Sequence, residues 1–218
     1  MKILALDTST IACSVALQNG DDIKVLHKIA PLQQAQLILP MIHTLLDSFS
    51  LTPDNLDAIA YGCGPGSFTG IRIANSVAQG LGFAAQKPII RISSLAVLAQ
   101  TIFLERQCTQ ILVAVDARMR QVYWAIYEVK QTGCVALIGE ERVCSPEDVN
   151  LPKEGNWCGV GDGFEKYKIN LMMRLDLRPD AIYPSQLPTA FALLHLARKN
   201  FEQKEYITAS QAAPVYLR

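Results

Sequence analysis

The sequence lacks a charge imbalance, and this absence limits what the chain can recognise by itself. Twenty Lys and Arg residues balance 20 Asp and Glu residues over 218 positions, so the formal net charge at pH 7 is zero. A protein that binds nucleic acid on its own relies on a broad basic field, because phosphate contacts supply much of its affinity. Contact with RNA must therefore be local or be supplied by a partner protein.

Patterns typical of metal sites, disulfide scaffolds and membrane spans are missing as well. The three histidines lie outside any HxxxH or HExxH motif, and the six cysteines form no CxxC pair. We therefore expect no metal site and no disulfide framework, with the thiols reduced and mostly structural. Since no apolar run reaches membrane length and no secretory leader pattern is visible, we expect a cytoplasmic protein without membrane contact.

A glycine-rich loop is the most informative feature that is present. The apolar segment 56–61 leads into Gly62-Cys63-Gly64-Pro65-Gly66-Ser67-Phe68-Thr69-Gly70, and a helical pattern rich in small residues follows. Such a loop resembles a phosphate cradle, with Ser67 or Thr69 able to cap the helix. A Walker A loop, however, needs Lys and then Ser or Thr where this chain has Ile71-Arg72, and a dinucleotide fingerprint needs a small residue at position 69. Both nucleotide motifs fail on residue identity.

The chain contains a weak internal duplication. Leu4-Ala5-Leu6-Asp7 resembles Val113-Ala114-Val115-Asp116, and each run leads through a short polar loop into a second strand and then a turn. Helices are predicted after each of these units. The predicted fold class is therefore α/β, with a mixed sheet and helices in each of two lobes. We place the N-terminal lobe at 1–108, the C-terminal lobe at 109–205 and a tail at 206–218.

Two helices of the first half carry more apolar or small residues than one core contact requires. The segment 32–49 is apolar around most of its girth and is interrupted by Pro40, and the segment 68–86 has small residues at four-residue spacing. Close approach of another backbone explains this spacing, and that backbone belongs either to the chain's own sheet or to a partner. We predict a partner-binding surface, which also forms a homodimer when the chain is alone. The candidate interface residues are Leu37, Ile38, Met41, Ile42, Leu45, Phe68, Ile71, Ala74, Ala78 and Gly82.

Four segments, in this order along the chain, resemble a known family. They are Asp7-Thr8-Ser9, the run GPGSFTGIRI from Gly64, the segment DARMRQVY from Asp116, and the terminal PVYLR from Pro214. The duplicated arrangement of strand, Asp and loop resembles the ASKHA superfamily of actin, hexokinase and Hsp70-like ATPases. Over its whole length the sequence resembles the bacterial tRNA threonylcarbamoyladenosine biosynthesis proteins of the TsaB (YeaZ-like) family, which are inactive paralogues of TsaD.

This resemblance implies a function. Family members pair with a larger TsaD-like catalytic paralogue and with a TsaE-like ATPase. The complex moves a threonylcarbamoyl group from threonylcarbamoyl-AMP to N6 of adenosine-37, in tRNAs that read codons beginning with A. The resemblance therefore implies a non-catalytic subunit that stabilises and activates the paralogue and meets tRNA through the complex. It implies no cofactor on this chain, with ATP and metal held by the partner proteins.

The residues agree with a nucleotide site that has lost its chemistry. The loops after both duplicated aspartates lack the glycines that ASKHA ATPases wrap around phosphates. Either aspartate could equally cap its loop by accepting hydrogen bonds from its own backbone. The candidates for the vestigial nucleotide site are Asp7, Thr8, Ser9 and Asp116, and the candidates for tRNA or partner contact are Arg118 and Arg120.

Two further functions stay open from the residues alone. An active small-molecule kinase of the same superfamily would use Asp7 as its base or magnesium ligand and the loop 159–163 to hold adenosine, although the loops offer few phosphate donors. A peptidase would need an activated nucleophile. Ser67 has no histidine beside it in any motif order, and its position suits a helix cap.

Overall fold

Ten strands and six α-helices alternate along residues 1–150 and 155–217, the part of the chain that the computed structural model describes. The strands are β1 (Lys2–Asp7), β2 (Ala12–Asn19), β3 (Asp22–Ile29), β4 (Ala58–Gly62), β5 (Ile89–Ile92), β6 (Gln110–Arg118), β7 (Gln121–Val129), β8 (Val135–Cys144), β9 (Trp157–Val160) and β10 (Ile182–Tyr183). The helices are α1 (Gln34–Asp47), α2 (Phe68–Ala84), α3 (Ser94–Arg106), α4 (Gly163–Lys166), α5 (Lys168–Leu175) and α6 (Ala190–Glu202).

The chain divides into two units, and each contains one five-stranded sheet. The first unit is Met1–Val97 with Pro188–Val215, and the second is Leu98–Leu187 with the residues from Tyr216. The first sheet has the strand order β3-β2-β1-β4-β5, and the second has β8-β7-β6-β9-β10. In both, the first three strands pair antiparallel and the last two run parallel to the first. The predicted α/β fold with an internal duplication is confirmed.

The central strand of each sheet is buried on both faces, and each ends near one of the duplicated aspartates. Residues 3–7 of β1 and 111–114 of β6 are buried, as expected for apolar strands that are covered on both sides. In the first unit, α1, α2 and α6 pack on this sheet. In the second unit, Trp124 and Phe164 are the largest fully buried side chains. The two aspartates therefore start from equivalent positions.

The division of the chain differs from the predicted domain bounds. Residues 188–205 were assigned to the C-terminal lobe by their order in the chain, but α6 packs on β1 and β2 of the first sheet. Its first amide, that of Ala190, donates to Ser14 Oγ at 2.9 Å. The following residues also pack in the first unit, where Ile207 exchanges backbone hydrogen bonds with Ile89. Chain order alone does not determine which sheet a helix covers.

Two local predictions also need correction. Helix α1 continues through Pro40, which is exposed, and Thr44 Oγ1 donates to the Pro40 carbonyl at 2.9 Å. Cys108 and Cys158 form a disulfide, with their Cα atoms 6.3 Å apart, whereas reduced thiols were expected. Cys158 lies in β9, next to the strand that begins two residues after Cys108, so pairing of the strands brings the two sulfurs together. Of the helices in the described ranges, none is long and apolar enough to cross a membrane.

Candidate functional site

Asp7 lies at the end of β1 and is almost completely buried. Only 1% of the residue is exposed. Its Oδ1 atom accepts two hydrogen bonds from Ser9, one from the amide at 2.9 Å and one from Oγ at 2.8 Å. Its Oδ2 atom has no hydrogen-bond partner among the described residues. One carboxylate oxygen thus caps the loop after β1, and the other is buried without a hydrogen bond from any described residue.

Burial gives Asp7 an unusual protonation equilibrium. It raises the pKa of Asp7 to about 6, although both hydrogen bonds from Ser9 act in the opposite direction. A catalytic base must lie within reach of the proton it removes. The bare oxygen of Asp7 instead faces Gly62, where an added Cβ atom would stand only 2.0 Å away. The sequence singled out Asp7, but it gave no sign that Gly62 is the residue that makes room for it.

The glycine-rich loop lies directly on the loop after Asp7. The Ser67 amide donates to the Ser9 carbonyl at 2.8 Å, and Thr8 Oγ1 donates to the Gly70 carbonyl at 2.7 Å. An added Cβ atom at Gly70 would stand 1.9 Å from the Thr8 carbonyl oxygen, and one at Gly66 would stand 2.6 Å from the Ser9 carbonyl oxygen. These two glycines therefore allow the backbone of the glycine-rich loop to pack closely against the backbone of Thr8 and Ser9.

Four amides of this region already donate to oxygen atoms of the protein. Besides the amides of Ser9 and Ser67, the Gly64 amide donates to Ser94 Oγ at 3.1 Å, and the Gly70 amide donates to Ser67 Oγ at 3.3 Å. A phosphate cradle depends on amides that point at the ligand and lack other partners. The loop that looks like a phosphate cradle is thus used for packing. The predicted role of Ser67 as the cap of α2 is confirmed.

Asp116 occupies the equivalent place in the second sheet, but it is only partly buried and both of its carboxylate oxygens accept hydrogen bonds. Its Oδ1 atom accepts hydrogen bonds from Tyr167 Oη at 2.9 Å and from the Arg118 amide at 3.0 Å. Its Oδ2 atom accepts one from Lys166 Nζ at 2.5 Å, and its own amide donates to Asp162 Oδ1 at 2.8 Å. Burial alone would raise the pKa of Asp116, but the hydrogen bonds from Lys166, Tyr167 and Arg118 hold it below the usual range. Both oxygens are therefore occupied.

The hairpin that follows Asp116 has a strained, basic tip. Arg118, Met119 and Arg120 all have positive φ angles, of 63°, 49° and 60°. Each such non-glycine residue costs roughly 1–2 kcal/mol, and two-residue turns of this type favour Asn-Gly. All three side chains are exposed, Met119 to 91%. Within residues 1–150 and 155–217, neither guanidinium group forms an ion pair.

Most of the candidate interface residues lie in the protein's own core. The buried ones are Ile38, Met41, Ile42, Leu45, Ile71, Ala74, Ala78 and Gly82. The small residues of α2 do mark the close approach of a backbone, but the neighbour is the chain's own sheet. An added Cβ atom at Gly82 would lie 2.5 Å from Ile89 Cδ1 in β5. Of the ten candidates, only the exposed Phe68 and the partly buried Leu37 reach the surface.

An apolar groove lies between α1 and α2. Its volume is about 430 Å³, and Leu39 and Phe68 on its rim are 54% and 60% exposed. The Arg72 guanidinium lies 3.5 Å from the centre of the Phe68 ring. The remaining lining residues are Ala35, Ile38, Thr69, Ile73, Ser76 and Val77. The apolar pattern predicted the two helices, but it did not indicate which of their faces is buried.

Among the described residues, no group of three or more His, Cys, Asp or Glu side chains is arranged to hold a metal ion. Each aspartate instead accepts hydrogen bonds from donors of the chain itself. Ser9 and Lys166 are the nearest examples. In both units the aspartate caps its loop by accepting a hydrogen bond from the amide two residues later.

Comparison with known proteins identifies close relatives. A family model described as TsaD, tRNA N6-adenosine threonylcarbamoyltransferase, matches residues 25–173. The chain is 37% identical over 222 residues to the tRNA threonylcarbamoyladenosine biosynthesis protein TsaB of Escherichia coli K12, covering 100% of this chain and 95% of that protein. The protein of that name from Haemophilus influenzae is 38% identical over 228 residues, covering 100% of this chain and 94% of the relative.

Solved structures agree with these sequence matches. The structure of YeaZ from Pseudomonas aeruginosa has a TM-score of 0.92 and 43% identity, and the match covers 99% of each chain. A second structure, of a Pseudomonas aeruginosa protein described as similar to peptidase YeaZ, has a TM-score of 0.93 and 43% identity, covering 100% of this chain and 99% of that one.

Two sheets of one strand order, each with a central strand that reaches an aspartate, define the class as an α/β protein with an internal duplication. Within this class, identity to the curated relatives extends over the full chain. The chain belongs to the TsaB family.

Proposed function

We propose that the protein is a non-catalytic subunit of the complex that transfers a threonylcarbamoyl group from threonylcarbamoyl-AMP to N6 of adenosine-37. The acceptors are tRNAs that read codons beginning with A. In this role the chain stabilises and activates a TsaD-like catalytic paralogue in the cytoplasm and acts together with a TsaE-like ATPase. The relatives' name, tRNA threonylcarbamoyladenosine biosynthesis protein, supports the pathway.

The observation that supports a non-catalytic role most directly is the bonding of the loops around Asp7. The amides of Ser9, Gly64, Ser67 and Gly70 all donate to oxygen atoms of the protein. Phosphoryl transfer requires positioned donors and metal ligands around the phosphates. The small-molecule kinase therefore lacks support from the geometry, because the first aspartate is enclosed and both oxygens of Asp116 are bonded.

The partner surface that fits this role is the apolar groove between α1 and α2. An amphipathic helix binds such a groove by burying its apolar face. Exposed Leu39 and Phe68 on the groove rim would then become covered in the complex. In the absence of the paralogue, a second copy of this chain would cover the same surface and give a homodimer.

Reconstitution tests the proposed role. The purified chain is combined with a TsaD-like protein, a TsaE-like protein, unmodified tRNA, ATP and threonylcarbamoyl-AMP, and the threonylcarbamoyladenosine formed is measured by mass spectrometry. We expect product formation to fall sharply when the chain is omitted, and we expect none from the chain alone. Modification of tRNA or turnover of ATP by the isolated chain would contradict a non-catalytic role.

Two matched variants test the groove. Phe68→Glu places a charge at the groove rim, whereas Ile169→Glu places one at a side chain of α5 that is 75% exposed. We expect Phe68→Glu to abolish co-purification with the paralogue and Ile169→Glu to preserve it, with wild-type circular dichroism for both. Equal recovery of the paralogue with both variants would exclude the groove as the interface.

A further inference from the structure

We infer that the tip of the β6–β7 hairpin, Arg118–Met119–Arg120, binds backbone phosphates of RNA, and that Asp116 is the positioning residue that fixes this tip. The inference rests on the proposed function only for the identity of the RNA, which is the tRNA substrate. The tip itself is defined by the conformation, exposure and charge of its residues.

The conformation of the tip is costly, and no packing requirement explains the residues that adopt it. Strand pairing joins Arg118 to Gln121, so Met119 and Arg120 form a two-residue turn with positive φ angles. Asn-Gly would satisfy this turn without strain. Strained residues cluster at ligand-binding sites, where the surrounding structure holds them. Long side chains in these exposed positions therefore point to a ligand outside the chain.

The base of the hairpin is held by Asp116. Its carboxylate accepts hydrogen bonds from the Arg118 amide, from Tyr167 Oη and from Lys166 Nζ, and its amide donates to Asp162. A bulge between Asp116 and Arg118 re-aims the strand at this point. The same carboxylate that is a candidate vestigial nucleotide ligand thus ties the base of the hairpin to the end of α4 and to Tyr167 just after it.

Local charge favours RNA as the ligand. Lys166 neutralises Asp116, so the nearest carboxylate does not cancel the charges of the tip. The two guanidinium groups are exposed and unpaired among the described residues, in a chain with no net charge. Guanidinium groups match phosphate oxygens with two parallel hydrogen bonds. All three residues of the tip are exposed, so both guanidinium groups can reach a phosphate backbone.

Charge reversal tests the assignment. The double variant Arg118→Glu/Arg120→Glu is compared with Lys28→Glu/Lys204→Glu, which changes the net charge equally at exposed residues of the first unit. Filter binding of an unmodified tRNA transcript is measured between 50 and 200 mM salt. Both the isolated chain and its complex with the TsaD-like protein are tested. For the tip variant we expect at least about a tenfold loss of affinity and a salt slope lower by about 2. The control pair should change neither value.

The outcomes separate this inference from the proposed function. If no complex forms with the wild-type chain, the proposed function fails. Filter binding of tRNA by the isolated wild-type and variant chains then decides whether the tip binds RNA. If the tip variant binds tRNA with wild-type affinity and slope in both samples, the assignment is overturned. Loss of the paralogue by the tip variant, with unchanged tRNA binding in the remaining complex, would assign the tip to a protein partner and also overturn it.

A second set of variants tests the positioning role of Asp116. Asp116→Ala removes the acceptor for the Arg118 amide, whereas Asp116→Asn retains an oxygen for it. We expect Asp116→Ala to weaken tRNA binding without lowering the salt slope, since both arginines remain, and Asp116→Asn to restore most of the affinity. Wild-type affinity for Asp116→Ala would exclude the positioning role.

Discussion

Asp7 and Asp116 began in equivalent positions of a duplicated fold and now differ in almost every physical property. Asp7 is buried, with a raised pKa of about 6 and one oxygen that has no partner in the described part of the chain. Asp116 is partly exposed and paired with Lys166, and its pKa is lowered. Both accept a hydrogen bond from the amide two residues later. The shared position at a strand end keeps the capping hydrogen bond in both units, whereas the surrounding residues set the pKa of each carboxyl group.

The neighbours differ because different segments cover the two strand ends. In the first unit, the glycine-rich loop lies on the loop after Asp7 and excludes solvent. In the second unit, Lys166 and Tyr167, at the end of α4 and just after it, reach the carboxylate from one side and leave the hairpin tip exposed. Asp7 is therefore part of the protein interior. Asp116, which forms an ion pair with Lys166, can instead hold a surface segment in one conformation.

Gly70→Ala should have the largest effect, because it breaks the contact that encloses Asp7. The new Cβ atom would stand 1.9 Å from the Thr8 carbonyl oxygen, a backbone atom that cannot move alone. We expect a loss of about 3 kcal/mol or more in the free energy of unfolding, measured by urea denaturation. Gly80→Ala, in the same helix with nothing within 4 Å, is the control and should stabilise by about 0.5–1 kcal/mol. Equal effects of the two variants would contradict the contact.

Asp7→Asn should stabilise the protein at neutral pH and remove a pH dependence. The pKa of Asp7 rises from an ordinary 3.8 to about 6 in the folded state, so its protonated form favours folding. This contribution is complete below about pH 4 and is lost as pH rises through 6, for a total of roughly 3 kcal/mol. Urea denaturation from pH 4 to 8 should show the variant gaining over wild type as pH rises. A constant difference would exclude the raised pKa.

Asp116→Asn should act in the opposite direction. The lowered pKa of Asp116 means that its ionised form favours folding, a contribution present above its ordinary pKa and lost as pH falls. We expect the variant to be less stable than wild type at pH 7, because it forfeits the charge-assisted bond from Lys166. The difference from wild type should shrink in acid, which is measured by the same denaturation series. A stabilised variant at pH 7 would refute the lowered pKa.

Met119→Asn/Arg120→Gly should produce the smallest change, a gain. It replaces two strained residues with the pair that this turn prefers, and we expect about 1 kcal/mol of added stability by thermal unfolding. The same variant should bind tRNA less tightly than wild type, because it removes one arginine of the tip. A variant that is less stable than wild type would show that the long side chains serve the fold.

Local signals in the sequence predicted the fold well. Two apolar runs ending in Asp7 and Asp116, each followed by a hairpin, predicted the duplicated sheets, because strand and turn signals lie within a few residues of one another. The helix cap at Ser67 was predictable for the same reason. The failure of both nucleotide motifs gave no indication of the amides that the loop uses for packing.

Features that depend on tertiary contacts could not be predicted from the sequence. Ala78 and Gly82 signalled a close backbone, but nothing local distinguishes the chain's own sheet from a partner. The disulfide of Cys108 and Cys158 joins residues 50 positions apart, and it depends on the pairing of β6 with β9. The opposite pKa shifts of the two aspartates likewise depend on tertiary structure, because burial raises the pKa of Asp7 and the hydrogen bond from Lys166, 50 positions away, lowers that of Asp116.

We expect Asp7, the aspartate enclosed in the first unit, to take no part in the chemistry. The most direct test is the rate of threonylcarbamoyl transfer to tRNA by a complex reconstituted with Asp7→Asn, after gel filtration has confirmed that the subunits assemble. We predict the wild-type rate. An assembled complex that is as slow as one without this chain would contradict this expectation.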